Sequence, residues 1–399
     1  MDIQIFPGKL SGTVTAISSK SQAHRLLICA AFADRPTFLI CPETSRDMDA
    51  TAGCLEALGA QISREEGGYR VCPVKRPPAS ALLGCLDSGS TLRFLLPVAG
   101  ALGVEATFHL AGRLPQRPLS PLWEEMERMG CRLSRPTEDT VLCQGRLRPG
   151  KFTLDGGVSS QFITGLLLAA ALIDGQSEIQ LTGTVESRPY ITMTREAMAI
   201  FGRETTGFQV RGGTPFRSPG TLAVEGDWSN GAFFLAARVL GSDVTVEGLS
   251  PGSSQGDRAA AELLPGLRRE ALTISAADIP DLIPILAVTA AVFHGAVFTD
   301  IRRLRLKESD RVAAVTDMIE GLGGHVESDE NTMRVYGTGL TGGSVDSRND
   351  HRIAMAAAIA ATVCRQGVTI RGAECTQKSY PRFWEECARL GGRYEQYIR

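Results

Sequence analysis

Six stretches begin with polar residues and run on into an Ala/Leu-rich body: SKSQAHRLLICAAFA (residues 19–33), SGSTLRFLLPVAGAL (88–102), SSQFITGLLLAAALI (159–173), WSNGAFFLAARVLG (228–241), DLIPILAVTAAVF (281–293) and DHRIAMAAAIAATVC (350–364). Their starts are separated by 69, 71, 69, 53 and 69 residues, which reads as one unit of roughly 65 residues repeated six times. Each body is apolar on all faces over a helical length, and such a helix must be enclosed. A second signature falls between them. It is an amphipathic run ending in glycine, then a polar turn between two short alternating runs, as in CLEALGAQISREEGGYRV around Gly59, MERMGCRLSRPTEDTVL around Gly130, MAIFGRETTGFQV around Gly202 and MIEGLGGHVESDENTMRVYG around Gly323. CARLGGRYEQY around Gly391 closes the chain. Glycine just past a helix fits the left-handed cap, and the alternation fits a hairpin. Each unit therefore reads strand, buried helix, strand, amphipathic helix, hairpin.

Three buried helices wrapped by their partners and by small sheets make one domain, so six units make two. The expected fold is α/β with the helices inside: a two-domain, inside-out architecture of three βαβαββ repeats per domain. A strand precedes the first buried helix in IQIFPGKLSGTVTAISSK, and the fourth buried helix follows GTLAVEGD. Hinges near Ser18 and Gly226 then give one domain over 18–226 and a discontinuous one over 1–17 plus 227–399.

Composition bounds the function. Lys plus Arg number 42 against 44 for Asp plus Glu, a net charge of −2, which argues against a protein that coats a polyanion. The ten cysteines show no CxxC pair and no zinc spacing, so they read as reduced, mostly buried thiols. MDIQIFPGKL has neither a basic n-region nor an apolar h-region, and a cytoplasmic location is expected. The uncharged stretch 282–299 is long enough to span a bilayer, but Pro284, His294 and Gly295 interrupt it, so it reads as a buried core helix.

Each buried helix carries its polar residues at its N-terminus, where free N–H groups and the macrodipole favour anions. Capping accounts for Ser88, Ser159 and Asp281. It does not account for Lys20, Arg25, Arg93, Arg311, Arg352 and Lys378, which lie within or beside apolar segments, where an unpaired cation is costly. Such a gathering in a nearly neutral chain points to a small, multiply charged anion. In RLKESDRVAAV, Glu308 and Arg311 are spaced i,i+3, as on one helical face, and Asp350, His351 and Arg352 open the sixth buried helix.

SKS with Arg25 five residues beyond Lys20, SGSTLR, Arg117-Pro118, VSSQF, SRPY, VEGD, IPD, LKESDR, NDHR and QKSYP occur in one order from Lys20 to Lys378. In that order and spacing the chain resembles the 5-enolpyruvylshikimate-3-phosphate synthase (3-phosphoshikimate 1-carboxyvinyltransferase) family of enolpyruvyl transferases. The resemblance implies two domains of three βαβαββ units with the active site in the interdomain cleft. It also implies transfer of the enolpyruvyl group of phosphoenolpyruvate to the 5-hydroxyl of shikimate 3-phosphate, in aromatic amino acid biosynthesis through chorismate. No metal or organic cofactor is implied. Carried over by motif, Lys20, Ser21, Arg25, Ser159, Ser160, Gln161, Ser187, Tyr190, Asp281 and Lys307 would contact shikimate 3-phosphate. Lys20, Gly89, Arg117, Gln161, Arg311, Arg352 and Lys378 would hold phosphoenolpyruvate, with Gly89 permitting close backbone approach.

The implied chemistry is addition, then elimination through a tetrahedral ketal phosphate. The resemblance puts Asp281 beside the shikimate hydroxyl as base and Glu308 near the enol methylene as acid, with Lys20 sharing in proton transfer. To hold a proton, Glu308 must rise above the reference of about 4.3, against the pull of Lys307 and Arg311. Three positions depart from the family pattern: Asp87-Ser88-Gly89 stands where Asn-Ala-Gly is frequent, Arg303 where many members carry Asn, and Phe94 where Pro is common. Two other functions compete. The sister transferase acting on UDP-N-acetylglucosamine has Lys-Asn in place of Lys20-Ser21 and a reactive cysteine that FHLAGRLPQRP lacks. A polyanion- or RNA-end-binding module would need no carboxylate pair. The expected partners are therefore the two small-molecule substrates, with neither nucleic acid nor membrane, and a monomer is expected.

Overall fold

The computed structural model describes residues 1–397. In chain order its α-helices are α1 (Lys20–Ala31), α2 (Arg46–Ala57), α3 (Gly89–Leu102), α4 (Leu122–Arg128), α5 (Ser160–Leu172), α6 (Arg188–Ile200), α7 (Trp228–Val239), α8 (Ala260–Arg269), α9 (Ile283–Val292), α10 (Arg311–Gly321), α11 (His351–Ala360) and α12 (Phe383–Arg389). The odd-numbered helices are the apolar bodies. Every residue of α11 is buried, as is every residue of α9 from Ile283 to Ala291. The even-numbered helices carry one apolar face, and apart from α8, whose C-cap is Glu270, the chain leaves them through glycine: Gly202 after α6 has φ +72° and Gly323 after α10 has φ +86°. The stretch 282–299 splits into α9, a turn and the strand Ala296–Thr299; among the described residues no helix is long and apolar enough to cross a membrane. The cysteines are free thiols, all buried except the half-buried Cys72.

The four-stranded sheets share one pattern of directions, a parallel pair followed by two antiparallel neighbours; these two form a hairpin in three of the sheets, while in the fourth they are the strands Asp2–Phe6 and Arg393–Tyr397 from opposite ends of the chain. Ser80–Leu86 runs parallel to Glu105–Leu110, which pairs antiparallel with Thr140–Gly145, and Cys131–Ser134 completes that hairpin. Leu272–Ser275, Ala296–Thr299, Thr332–Tyr336 and His325–Ser328 repeat the same order.

Two strands depart from simple repetition. Ser11–Thr15, which precedes α1, pairs parallel with Asp243–Glu247 beyond α7, while Thr221–Ala223, which precedes α7, pairs parallel with Thr37–Ile40 beyond α1. The chain accordingly forms a continuous unit, Ser18–Glu225, and a discontinuous unit, Met1–Ile17 with Gly226 onward. Each crossing falls between a strand and the helix that follows it, because the strand's ladder lies in one unit and the helix packs into the core of the other. Gly226, expected to end the first domain, clusters with the discontinuous unit. A Cβ there would stand 2.3 Å from the Gly248 carbonyl oxygen, a backbone approach inside that unit.

Each unit has its own core. In the continuous unit α3 and α5 touch backbone to backbone, since a Cβ on Gly165 would lie 2.2 Å from the Arg93 carbonyl oxygen. In the discontinuous unit α7, α9 and α11 bury Phe233, Phe234, Leu286 and Ile353 completely. At about 1.5–3 kcal/mol per buried large side chain, such burial dominates what holds the helix ends in register.

Candidate active site

In the continuous unit, hydroxyl and amide groups tie the helix starts together. Ser19, Ser88 and Ser159 cap α1, α3 and α5, accepting from the backbone N–H of Gln22, Thr91 and Gln161. Thr51 of α2 hydrogen-bonds both His24 Nδ1 of α1 and Thr91 of α3, each at 2.7 Å. These bonds favour one arrangement of the elements they join, though the buried His24 Nε2 is left without a partner.

Upon this frame sit the cations. Lys20, the first residue of α1, donates to Asp47 Oδ2 on α2 at 2.9 Å, both side chains being 14% exposed. Arg25 is buried among neutral acceptors: Thr194 Oγ1 at 2.8 Å, Thr164 Oγ1 at 3.3 Å, and the carbonyls of Tyr190 at 3.0 Å and Ser21. Burial lowers it to about 10. Its guanidinium lies 5.0 Å from the Phe94 ring centroid, so this departure from the family pattern supplies an aromatic face beneath a cation. Arg93 gives Nη1 to Gln161 Oε1 at 2.7 Å, and Gln161 gives its own NH2 to Ser90 Oγ at 3.1 Å. Gln161 is thus oriented by two residues one turn apart on α3. A methyl on Gly89 would stand 2.7 Å from Arg117 Nη1, so the missing side chain makes room for that guanidinium. Ser160 and Ser187 are buried; Ser187 holds φ +55°, unusual for a residue with a Cβ, at the start of α6, where Tyr190 is half-buried.

The discontinuous unit is built on carboxylates. Arg311, at the start of α10 and 1% exposed, donates from Nε to Asp350 Oδ2 at 3.0 Å, from Nη1 to Asp281 Oδ1 at 2.7 Å and the Pro280 carbonyl at 3.3 Å, and from Nη2 to Glu308 Oε2 at 2.8 Å and Asp350 Oδ1 at 3.4 Å. These bonds occupy all five of its N–H donors. Asp350, fully buried, also caps α11 through the Arg352 N–H and accepts from Ser309 Oγ, both at 3.0 Å.

Two local expectations change. Glu308 does not share a helical face with Arg311, because α10 begins at Arg311 behind the Asp310 cap, and the pair closes across that cap instead. Asp281 does not cap a helix. α9 begins at Ile283 without a side-chain cap, and Asp281 turns to Arg311 and to Arg352 Nη2 at 3.3 Å, where two cations offer a carboxylate more than one N–H. Burial would raise the Asp281 carboxyl, but Arg352, Arg311 and Lys307 outweigh it and hold it well below the usual carboxylate range. Burial likewise lowers Lys307 to about 8; Asp281 opposes that, while Arg311 and Arg303 add to it. Lys378 is buried and donates to the Asn349 carbonyl at 2.9 Å. Arg352, 3% exposed, keeps Nε and Nη1 buried without a protein partner.

Asp47 and Arg93 emerge as holders of Lys20 and Gln161. Arg93 stands out in the sequence as a cation in an apolar helix, but nothing there marks its partner. Asp47 lies in the polar first turn of an ordinary amphipathic helix.

The family model for EPSP synthase (3-phosphoshikimate 1-carboxyvinyltransferase) matches residues 6–270 and 265–387. Curated relatives named 3-phosphoshikimate 1-carboxyvinyltransferase include one from Clostridium beijerinckii, 34% identical over 99% of this chain and 99% of its own, and one from Clostridium kluyveri, 35% identical over 99% and 98%. Among solved structures, an EPSP synthase from Acinetobacter baumannii superposes with a TM-score of 0.81 at 22% identity, covering 99% of this chain and 100% of the other. The enolpyruvyl transferase NikO from Streptomyces tendae gives 0.75 at 18%, covering 100% and 99%. At those identities the structural likenesses establish the enolpyruvyl transferase fold.

Proposed function

The chain belongs to the EPSP synthase (3-phosphoshikimate 1-carboxyvinyltransferase) family, and from that premise we propose that it transfers the enolpyruvyl group of phosphoenolpyruvate to the 5-hydroxyl of shikimate 3-phosphate, releasing phosphate. The observation that carries the division of labour is the pair of carboxylates on one guanidinium, Asp281 and Glu308 on Arg311 at 2.7 and 2.8 Å. Addition requires a proton on the enol methylene and removal of one from the attacking hydroxyl, and elimination reverses both transfers. Two carboxylates in different environments can divide that work.

In this reading Asp281 takes the hydroxyl proton. It is ionised across neutral pH, and an anionic substrate that neutralises Arg352 and Arg311 makes it more basic just when a base is needed. Glu308 delivers the methylene proton, with Lys20 sharing in the transfers. Arg311 reaches phosphoenolpyruvate by giving up bonds to its carboxylates, and loss of the Glu308 contact removes the cation that opposes protonation of that acid. Arg352 already has two nitrogens, Nε and Nη1, to give. Lys378, Lys20, Arg117, Gln161 and the bare backbone at Gly89 complete the phosphoenolpyruvate contacts. Lys20, Ser21, Arg25, Ser159, Ser160, Gln161, Ser187, Tyr190, Lys307 and Asp281 serve shikimate 3-phosphate.

The two substrates balance the reaction by themselves, so no cofactor is called for. The free thiols suit a reducing compartment, and the reading is completed by a cytoplasmic monomer acting on small molecules. Phosphate release from phosphoenolpyruvate that depends on shikimate 3-phosphate, and does not occur with UDP-N-acetylglucosamine, is the expected result. Release with UDP-N-acetylglucosamine alone would overturn the assignment.

A further inference from the structure

Asp257 lies in the short helical turn Gly256–Ala259. It is 2% exposed. The loop that carries it is latched to the start of α7 by Gln255, whose Oε1 accepts from the Trp228 N–H at 3.0 Å and whose Nε2 donates to the Gly226 carbonyl at 2.8 Å. That latch sets Asp257 Oδ2 against the Ser229 hydroxyl and leaves Oδ1 buried without a partner. The charges that act on it through space are Asp281 before α9, Arg352 on α11 and Asp227 at the cap of α7. Arg258 of its own turn and Glu262 of α8 are exposed. The carboxyl thus has an unused oxygen and the arginine unused Nε and Nη1, and each charge acts on the other although no ion pair joins them.

Arg311 shows what happens when carboxylates claim a guanidinium: all its donors are taken. An ionised Asp257 would do the same to the open side of Arg352. A neutral Asp257 would leave that side for substrate. We propose that Asp257 is a positioning residue that acts through Arg352: protonated, it leaves the guanidinium open to phosphoenolpyruvate, and ionised, it captures it. Burial first, then the Asp281 and Asp227 charges, raise the carboxyl to about 7, with Arg352 and the Ser229 hydrogen bond opposing. The change of state then falls in the neutral range. The inference rests on the proposed role of Arg352 toward phosphoenolpyruvate.

The test is the pH dependence of KM for phosphoenolpyruvate in wild type and in Asp257→Asn, an isosteric neutral replacement. Titration of the substrates cancels in the ratio of the two. The ratio of wild-type to variant KM is expected to rise on the order of ten-fold from pH 6 to pH 8.5, as wild type alone ionises at this position. A ratio that does not change with pH overturns the inference, even if the variant is slower throughout, as a purely structural role would make it. Should Asp257→Asn fail to fold, Ser229→Ala decides: loss of the hydroxyl that favours the ionised form should move the wild-type inflection to higher pH, and an unmoved inflection overturns the proposal. Wild type without shikimate-3-phosphate-dependent phosphate release would defeat the functional reading instead, a distinct outcome.

Discussion

The two units hold their cations in opposite ways. At the candidate site of the continuous unit Arg25 and Arg93 donate to hydroxyls, carbonyls and an amide, while Lys20 meets a carboxylate, Asp47. In the discontinuous unit Arg311 is enclosed by Asp281, Glu308 and Asp350. A buried cation among neutral dipoles keeps its charge available to an incoming anion. A cation among carboxylates neutralises them and tunes their protonation. The first arrangement suits holding phosphates; the second suits moving protons.

The sharpest break of that contrast is Glu308→Gln. It keeps the shape of the side chain and removes the proton, so turnover is expected to fall by about 10²–10⁴-fold or more, with shikimate 3-phosphate affinity nearly unchanged by titration; full phosphate release by the variant would take Glu308 out of the mechanism. Next comes Arg311→Ala. Stranding the fully buried Asp350 should cost about 3–5 kcal/mol, read as a lowered denaturation midpoint. Arg25→Gln, which strands only neutral groups, should cost about 1–3 kcal/mol. Equal losses in the two variants would erase the distinction between the units.

Gly89→Ala should raise KM for phosphoenolpyruvate about ten-fold, a displacement of the Arg117 guanidinium worth roughly 1.4 kcal/mol, while thermal stability stays near wild type. The smallest effect is expected at Asp47→Asn. The pair it forms with Lys20 is partly open to solvent, and its loss should amount to about 1 kcal/mol or less, seen as a few-fold fall in kcat/KM. Lys307 is lowered to about 8 by burial, below its unfolded value of about 10.4. Between those values the unfolded chain binds more protons, so this group makes stability rise with pH from about 8 to 10.4. Lys307→Met should abolish that rise in urea titrations across this range.

The buried helices were legible because their polar starts are caps: Ser19, Ser88, Ser159 and Asp350 each accept a backbone N–H in the first turn. The exchange of strands was not. Ser11–Thr15 and Thr221–Ala223 look alike as short alternating runs, and their partners, Asp243–Glu247 and Thr37–Ile40, lie in the strand's own unit but far away in sequence. Asp281 illustrates a second limit. Before a buried helix a capping Asp and an ion-paired Asp are the same letters, and what separates them is the approach of Arg311 and Arg352 from remote segments. Asp257 carries no local signal at all, since its burial depends on the Gln255 latch and on Ser229.

In the proposed reaction the carboxylate cluster of the discontinuous unit handles the protons. The most direct test of that role is solvent deuterium incorporation at the methylene carbon, followed by NMR with both substrates present in heavy water. Wild type should wash deuterium into that position, and Glu308→Gln should not, while still binding shikimate 3-phosphate. Incorporation by Glu308→Gln at the wild-type rate would contradict the account.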